Sequence, residues 1–243
     1  MLKSVKEIVV RFTNKKAILF DLDGTLIDSA PDLASAINHM LVTIGREKMS
    51  PDIIRTWVGN GASILVQRGL SGKIDIDNPL DPILVEKALA IFIEYYAKHI
   101  CIDTATYPRV RSTLKILKAK GYRLAIVTNK PYHLIQPILD GLELNGLFEY
   151  LLGGDSLIKR KPDPLPLLHT CEKLGVSVDE CVMVGDSKND ILAANAANMQ
   201  SIGLTYGYNY GEDINEHGPD LCLNDFADMI AAFSTENQYT LND

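Results

Sequence analysis

Two aspartates, Asp21 and Asp23, flank Leu22 and run into Gly24-Thr25, while two more, Asp186 and Asp190, stand four residues apart after Gly185. Thr128-Asn129 and Lys161, within Arg160-Lys161-Pro162-Asp163-Pro164, complete a set of oxygen donors with one ammonium. Both aspartate pairs and Thr128-Asn129 follow short apolar runs of strand character, and in an open parallel sheet polar residues just past the strand ends converge on one crevice. Four carboxylates brought together repel one another unless a cation joins them or some are protonated. A hard divalent ion suits the all-oxygen set: Mg²⁺ takes one or two protein carboxylates, keeps several waters and reaches a phosphate oxygen. The ion's two charges and that of Lys161 leave one negative charge in excess, which a proton on Asp23 would cancel. A protonated acid is also what a leaving alkoxide needs.

Taken singly, each piece is ordinary. Asp-x-Asp-Gly suits a turn, Thr128-Asn129 a loop and Lys161 an exposed loop position, and Asp186 to Asp190 could cap the next helix. A calcium loop counted from Asp21 fails, because Leu26 stands where glycine is required and Asp32 where glutamate is required. The weight lies in the order and placement of all four groups in one chain.

The elements that must position these groups follow from periodicity. Ala17 to Phe20 is a compact apolar run, read as the first strand. Ser29 and Asp32 form a capping-box pattern ahead of Leu33, Ile37, Met40, Leu41 and Ile44, which recur at helical spacing until Gly45. Leu84 to Tyr96 carries a wide apolar helical face. No strand is evident between Asp28 and about Thr106. Beyond it strand and helix alternate: helix Pro108 to Lys120, strand Arg123 to Val127, strand Tyr150 to Leu152, helix Leu165 to Leu174, strand Cys181 to Val184, helix Ile191 to Ala197 and strand Ser201 to Leu204. This is the pattern of a doubly wound, Rossmann-like α/β parallel sheet. A crossover needs only a dozen or so residues, yet about 100 separate the first two strands, which implies an inserted helical cap. The division expected is a catalytic core over residues 1–28 and 106–233, a cap over 29–105 and a disordered tail over 234–243.

Composition narrows the classes further. The 243 residues are 47% hydrophobic and 23% charged, enough to bury a sizeable core, with no repeat or low-complexity segment. A net charge of −7 offers no global attraction to nucleic acid or to an anionic membrane. The apolar stretch Ile8 to Val10 is cut by Arg11, too short for a signal-peptide core, and no uncharged run of about 18 apolar residues exists. Four spread cysteines (Cys101, Cys171, Cys181, Cys222) fit a reduced, cytoplasmic chain without a zinc site. The expectation from charge is no nucleic-acid and no membrane partner, the chain being a monomer or homodimer.

Strand-Asp-x-Asp-Gly-Thr, strand-Thr-Asn, Lys-Pro-x-Pro and strand-Gly-Asp-Ser-x-x-Asp together resemble the haloacid dehalogenase superfamily of phosphotransferases, from about Ala17 to Met229. The resemblance implies Asp21 as the nucleophile that forms an aspartyl phosphate, and Asp23 as the acid that protonates the leaving group and later activates water. It implies Thr128, Asn129, Gly24 and Thr25 as the phosphate cradle and Lys161 as the neutralising lysine. Mg²⁺ would sit on Asp21, Asp186 and the main-chain carbonyl of Asp23, with Asp190 orienting lysine or metal waters. The second Asp and Thr25 favour a phosphatase over a dehalogenase, a phosphonate hydrolase or a phosphomutase. The strings Asp28 to Leu33, Thr56 to Ala62, Val127 to Pro131 and Gly203 to Gly211 resemble superfamily phosphatases that act on 2-phosphoglycolate. A broad sugar-phosphate phosphatase or phosphomutase is the alternative. A receiver module shares the Asp, Thr, Lys and Mg²⁺, but needs half this length and lacks the insertion and the second Asp.

Such a substrate brings a carboxylate into an acidic chain. Gly59-Asn60-Gly61, before the apolar run Ile64 to Val66, could open a helix whose free N–H groups face it, or merely turn the chain between two cap helices. Arg55 and Arg68 are weaker candidates, and Lys130, beside the second motif, reads first as an exposed lysine. Tyr206, Tyr208 and Tyr210 suit an extended loop packed on the core, and the five histidines show no ligand spacing.

Overall fold

The computed structural model describes residues 12–233. The tail expected over 234–243, and the start of the core with its apolar stretch Ile8 to Val10, lie outside the described residues. In chain order the elements are β1 (Ala17–Phe20), β2 (Ile27–Asp28), α1 (Ala30–Thr43), α2 (Pro51–Arg55), α3 (Ala62–Ser71), α4 (Pro82–Lys98), β3 (Ala105–Thr106), α5 (Val110–Ala119), β4 (Arg123–Val127), α6 (Ile135–Gly141), β5 (Tyr150–Leu152), α7 (Leu165–Leu174), β6 (Cys181–Gly185), α8 (Lys188–Ala196), β7 (Gln200–Leu204), β8 (Leu221–Leu223) and α9 (Met229–Ala232).

Six strands form one parallel sheet in the order β5-β4-β1-β6-β7-β8. Every residue of β1 is buried, as expected of a strand covered on both faces and therefore apolar without alternation. Side chains still alternate between faces. Ile18 and Phe20 join Leu124, Ile126, Val182 and Val184 on one side; Ala17 and Leu19 join Ala125, Val127, Cys181 and Met183 on the other. Phe20 pairs in register with Ile126 of β4 and Val184 of β6. The parallel register therefore brings the residues that follow β1, β4 and β6 to the same end of the sheet.

Helices α1 to α4 enclose a core of their own, in which Leu33, Ile37 and Met40 of α1 meet Leu65 of α3 and Phe92 and Tyr96 of α4. Chain leaves and returns through a two-stranded antiparallel ribbon, where Ile27 pairs with Thr106 and Asp28 with Ala105. This is an α/β fold with a helical cap inserted after the first strand. Among the described residues no helix is long and apolar enough to cross a membrane.

The capping box expected at Ser29 does not form. Ser29 precedes α1 without a side-chain cap, because its hydroxyl donates to Asp23 Oδ1 at 2.5 Å. Asp32 instead accepts from the backbone of Ile102, Asp103 and Thr104 and from the Thr104 hydroxyl at 2.6–3.1 Å, fastening the return segment to α1. A capping box does form at Ser187 with Asp190, and it starts α8 earlier than the apolar periodicity suggested. Sequence reading missed α6, whose Pro137 looks like a breaker but sits in its first turn, where proline is tolerated. It also missed β8, whose three residues between Gly218-Pro219-Asp220 and Asn224-Asp225 are too few to show a period.

Candidate active site

The loops after β1, β4 and β6 deliver Asp21, Thr128 and Asp186 to one end of the sheet. Carboxylate oxygens of Asp21, Asp186 and Asp190 lie within 4.8 Å of one another. Lys161 Nζ, fully buried, donates to Asp190 Oδ1 at 2.6 Å and sits 3.0 Å from Asp21 Oδ1. Asp190 Oδ2 accepts from the Ser187 N–H and hydroxyl at 3.1 and 2.8 Å, so both its oxygens are spent within the protein. Asp186 takes the Thr25 hydroxyl on Oδ1 at 2.6 Å and the Tyr208 N–H on Oδ2 at 2.7 Å. Thr25, expected at the phosphate, thus anchors a carboxylate. Gly24 has φ +88°, and a Cβ there would fall 2.2 Å from Asp186 Oδ2; the chain turns through a conformation and a space that favour glycine.

Burial raises the Asp21 carboxyl to about 6, against the lowering pull of Lys161. Burial, with Asp190 and Asp21 nearby, pushes Asp186 well above the ordinary range. Burial also works against the Lys161 ammonium, but Asp190 and Asp21 outweigh it and hold the lysine charged. Asp21 Oδ1 is buried and has the Lys161 ammonium as its ion-pair partner at 3.0 Å. Buried carboxylates of Asp21 and Asp186 crowded within 4.8 Å of one another, with no imidazole or thiol among them, fit a hard divalent cation such as Mg²⁺.

Above this cluster a small cavity is lined by Asp21, Asp23, Gly59, Gly61, Thr128, Asn129 and Lys130 together with apolar cap side chains. Asn60 is not part of its lining. Gly61 precedes α3 with φ +82°, and a Cβ there would fall 2.8 Å from the Asn129 carbonyl. Glycine is thus required by the turn, and the first turn of α3 also borders the cavity. Asn129 Nδ2 bridges the Gly59 and Lys161 carbonyls at 3.1 and 3.0 Å, joining cap to core.

Lys130 is not an exposed lysine. It is buried, with Nζ 3.0 and 3.2 Å from the two Asp23 oxygens and 2.8 Å from the Tyr96 hydroxyl of α4. The tyrosine loop is likewise more than packing. Tyr208 donates to Asp28 Oδ1 at 2.5 Å and accepts from the Ser29 N–H at 2.9 Å, Tyr206 donates to the Thr25 carbonyl at 2.8 Å, and the Tyr210 hydroxyl meets Asn189 at 2.9 Å. A hydroxyl every second residue in Tyr206-Gly-Tyr208-Asn-Tyr210 was the available signal. Arg55 and Arg68 are committed away from the cavity, to Asp28 at 3.0 Å and to the Trp57 and Ile74 carbonyls at 2.6 and 2.8 Å.

Residues 18–204 match the model of the haloacid dehalogenase-like hydrolases, and the chain belongs to that family. A phosphoglycolate phosphatase of Colwellia psychrerythraea is 52% identical over 221 residues, 91% of this chain and 98% of that protein. A phosphoglycolate phosphatase of Haemophilus influenzae is 44% identical over 219 residues, 90% of this chain and 98% of its own. The crystal structure of a predicted phosphoglycolate phosphatase from Haemophilus somnus has a TM-score of 0.85 and 41% identity, covering 92% of this chain and 100% of that one.

Proposed function

We propose that the protein is a Mg²⁺-dependent phosphomonoesterase that hydrolyses 2-phosphoglycolate to glycolate and phosphate through an aspartyl phosphate on Asp21. The observation that carries this reading is the buried Asp21 carboxylate, set between Lys161 and Asp186 and opening on the cavity that Asp23 and Thr128 also line. Asp21 and Asp186 would hold the ion with the Asp23 carbonyl, and the ion supplies charge neutralisation at the phosphate and the nucleophile. Asp21 attacks phosphorus as the ester C–O–P bond opens, and Asp23 hands a proton to the departing glycolate oxygen. Asp23 then takes a proton from a water that attacks the same phosphorus, freeing phosphate and restoring Asp21. Lys161 holds the nucleophile's charge, while Thr128 and Asn129 receive the phosphoryl oxygens.

The cavity wall favours a short acid over a sugar phosphate. Leu33, Val58, Ala62, Leu65, Phe92 and Leu134 offer no partners for a row of hydroxyls, and a buried hydroxyl without a partner is costly. The same enclosure argues against a receiver module, which accepts a phosphoryl group without a cap. The test is a panel of small phosphate esters compared by kcat/KM with Mg²⁺ present, in wild type and Asp21→Asn. Wild type is expected to turn over repeatedly with 2-phosphoglycolate preferred. Asp21→Asn is expected to lose at least about 10⁴-fold in kcat with an unchanged circular dichroism spectrum; a variant within tenfold of wild type contradicts the nucleophile.

A further inference from the structure

We infer that Lys130, together with Tyr96, reads the anionic tail of the substrate; the inference rests on the reading proposed above and names the specificity determinant within it. Among the described residues lining the cavity, Lys130 is the one cation. Lys161 is committed to Asp21 and Asp190, and the cap arginines Arg55 and Arg68 are bound to Asp28 and to backbone carbonyls. Around Lys130 the cap wall is apolar, so among the residues lining this space a charged tail meets one full positive charge, with the Arg160 guanidinium outside the lining, near Gly61.

Tyr96 completes the pair from the cap side. Its hydroxyl accepts from Lys130 Nζ at 2.8 Å, and the ammonium also lies 4.6 Å from its ring centroid. Because that oxygen acts as acceptor, its own proton finds no acceptor among the described residues and is available to an incoming carboxylate. Burial pushes the hydroxyl up to about 12, which keeps the proton in place at neutral pH. Lys130 has three protons; with one shared by the two Asp23 oxygens and one on Tyr96, the third, together with the phenol, suits a carboxylate, whose two oxygens accept from both. Since Lys130 follows β4 and Tyr96 belongs to α4, a carboxylate held by both ties the cap to the core.

Lys130 also holds Asp23, so a loss of rate alone would not separate tail recognition from support of the acid. The discriminating quantity is the ratio of kcat/KM for 2-phosphoglycolate to that for ethyl phosphate, which has the same carbon count without the carboxylate. Tyr96→Phe is expected to lower this ratio roughly tenfold and Lys130→Met about a hundredfold, chiefly through KM for phosphoglycolate, while Lys130→Arg keeps more of it than Lys130→Met. If Lys130→Met slows both esters equally and Tyr96→Phe leaves the ratio unchanged, Lys130 serves Asp23 alone and the inference is overturned. Should Lys130→Met fail to fold, the Tyr96→Phe ratio decides. A wild type that does not prefer phosphoglycolate over ethyl phosphate removes the proposed substrate itself, and the inference with it.

Discussion

Asp21 and Asp186 are carboxylates held where their charge is disfavoured, and that has a measurable consequence. A carboxyl whose folded value lies above its unfolded one binds its proton more tightly in the fold, so stability is greatest below the unfolded value and declines as pH rises through the folded one. For Asp21 the window runs from about 4 to about 6, and Asp186 moves in the same direction. A divalent cation offsets this cost where the carboxylates are ionised and must displace protons where they are not. Mg²⁺ added to chelator-treated protein should therefore raise Tm more at pH 7.5 than at pH 5, read by differential scanning fluorimetry against the same buffers with chelator. Equal shifts at both pH values contradict a site built on these carboxylates. The residues in this cluster were legible because type and spacing survive in the sequence: two Asp-containing motifs and one lysine motif, each tied to its own segment of chain. Lys130 was not, since a lysine after a strand is exposed by default, and only the meeting of the β4 loop with α4 shows what surrounds it.

Among the elements, the segment returning from the cap is fixed by one side chain. Asp32, buried in α1, accepts four hydrogen bonds from residues 102–104 just before β3. Asp32→Ala leaves three backbone N–H groups without their acceptor. The expected cost is about 3 kcal/mol, or roughly 6–12 °C in Tm for a chain of this size, measured by thermal unfolding; a shift under about 2 °C contradicts the role. Sequence placed Asp32 in a helix cap because Ser-x-x-Asp is a local pattern, and local patterns are silent about a loop 70 residues away. Strands β1, β4, β5 and β6 were legible to within a residue because each is a compact apolar run ended by polar or glycine residues. The ribbon of β2 and β3, two residues a side, carries no periodicity and follows only from the chain's need to leave and re-enter the core at one place.

At the scale of the whole molecule, function depends on two cores meeting over one cavity. The sheet brings residues from positions 21, 128 and 186 to a common edge, and the cap adds an apolar roof containing Tyr96. Asn129 and Asn189 both donate to the Gly59 carbonyl, at 3.1 and 3.2 Å, and Tyr208 joins the Asp186 carboxylate to Asp28 and Ser29 at the cap's base. Exclusion of water by such a roof strengthens every electrostatic interaction beneath it. The alternation of strand and helix, with an excess of about 100 residues after β1, was enough to expect both bodies; their contacts were not legible, because they join residues far apart in sequence by side chains of no fixed motif. The proposed mechanism requires Asp21 to carry the phosphoryl group during turnover. Its most direct measurement is acid quenching of the enzyme while it hydrolyses 2-phosphoglycolate with Mg²⁺, followed by peptide mass spectrometry. A phosphoryl group on the peptide containing Asp21, attached to that residue, is the expected result; a phosphoryl group on any other residue contradicts the account.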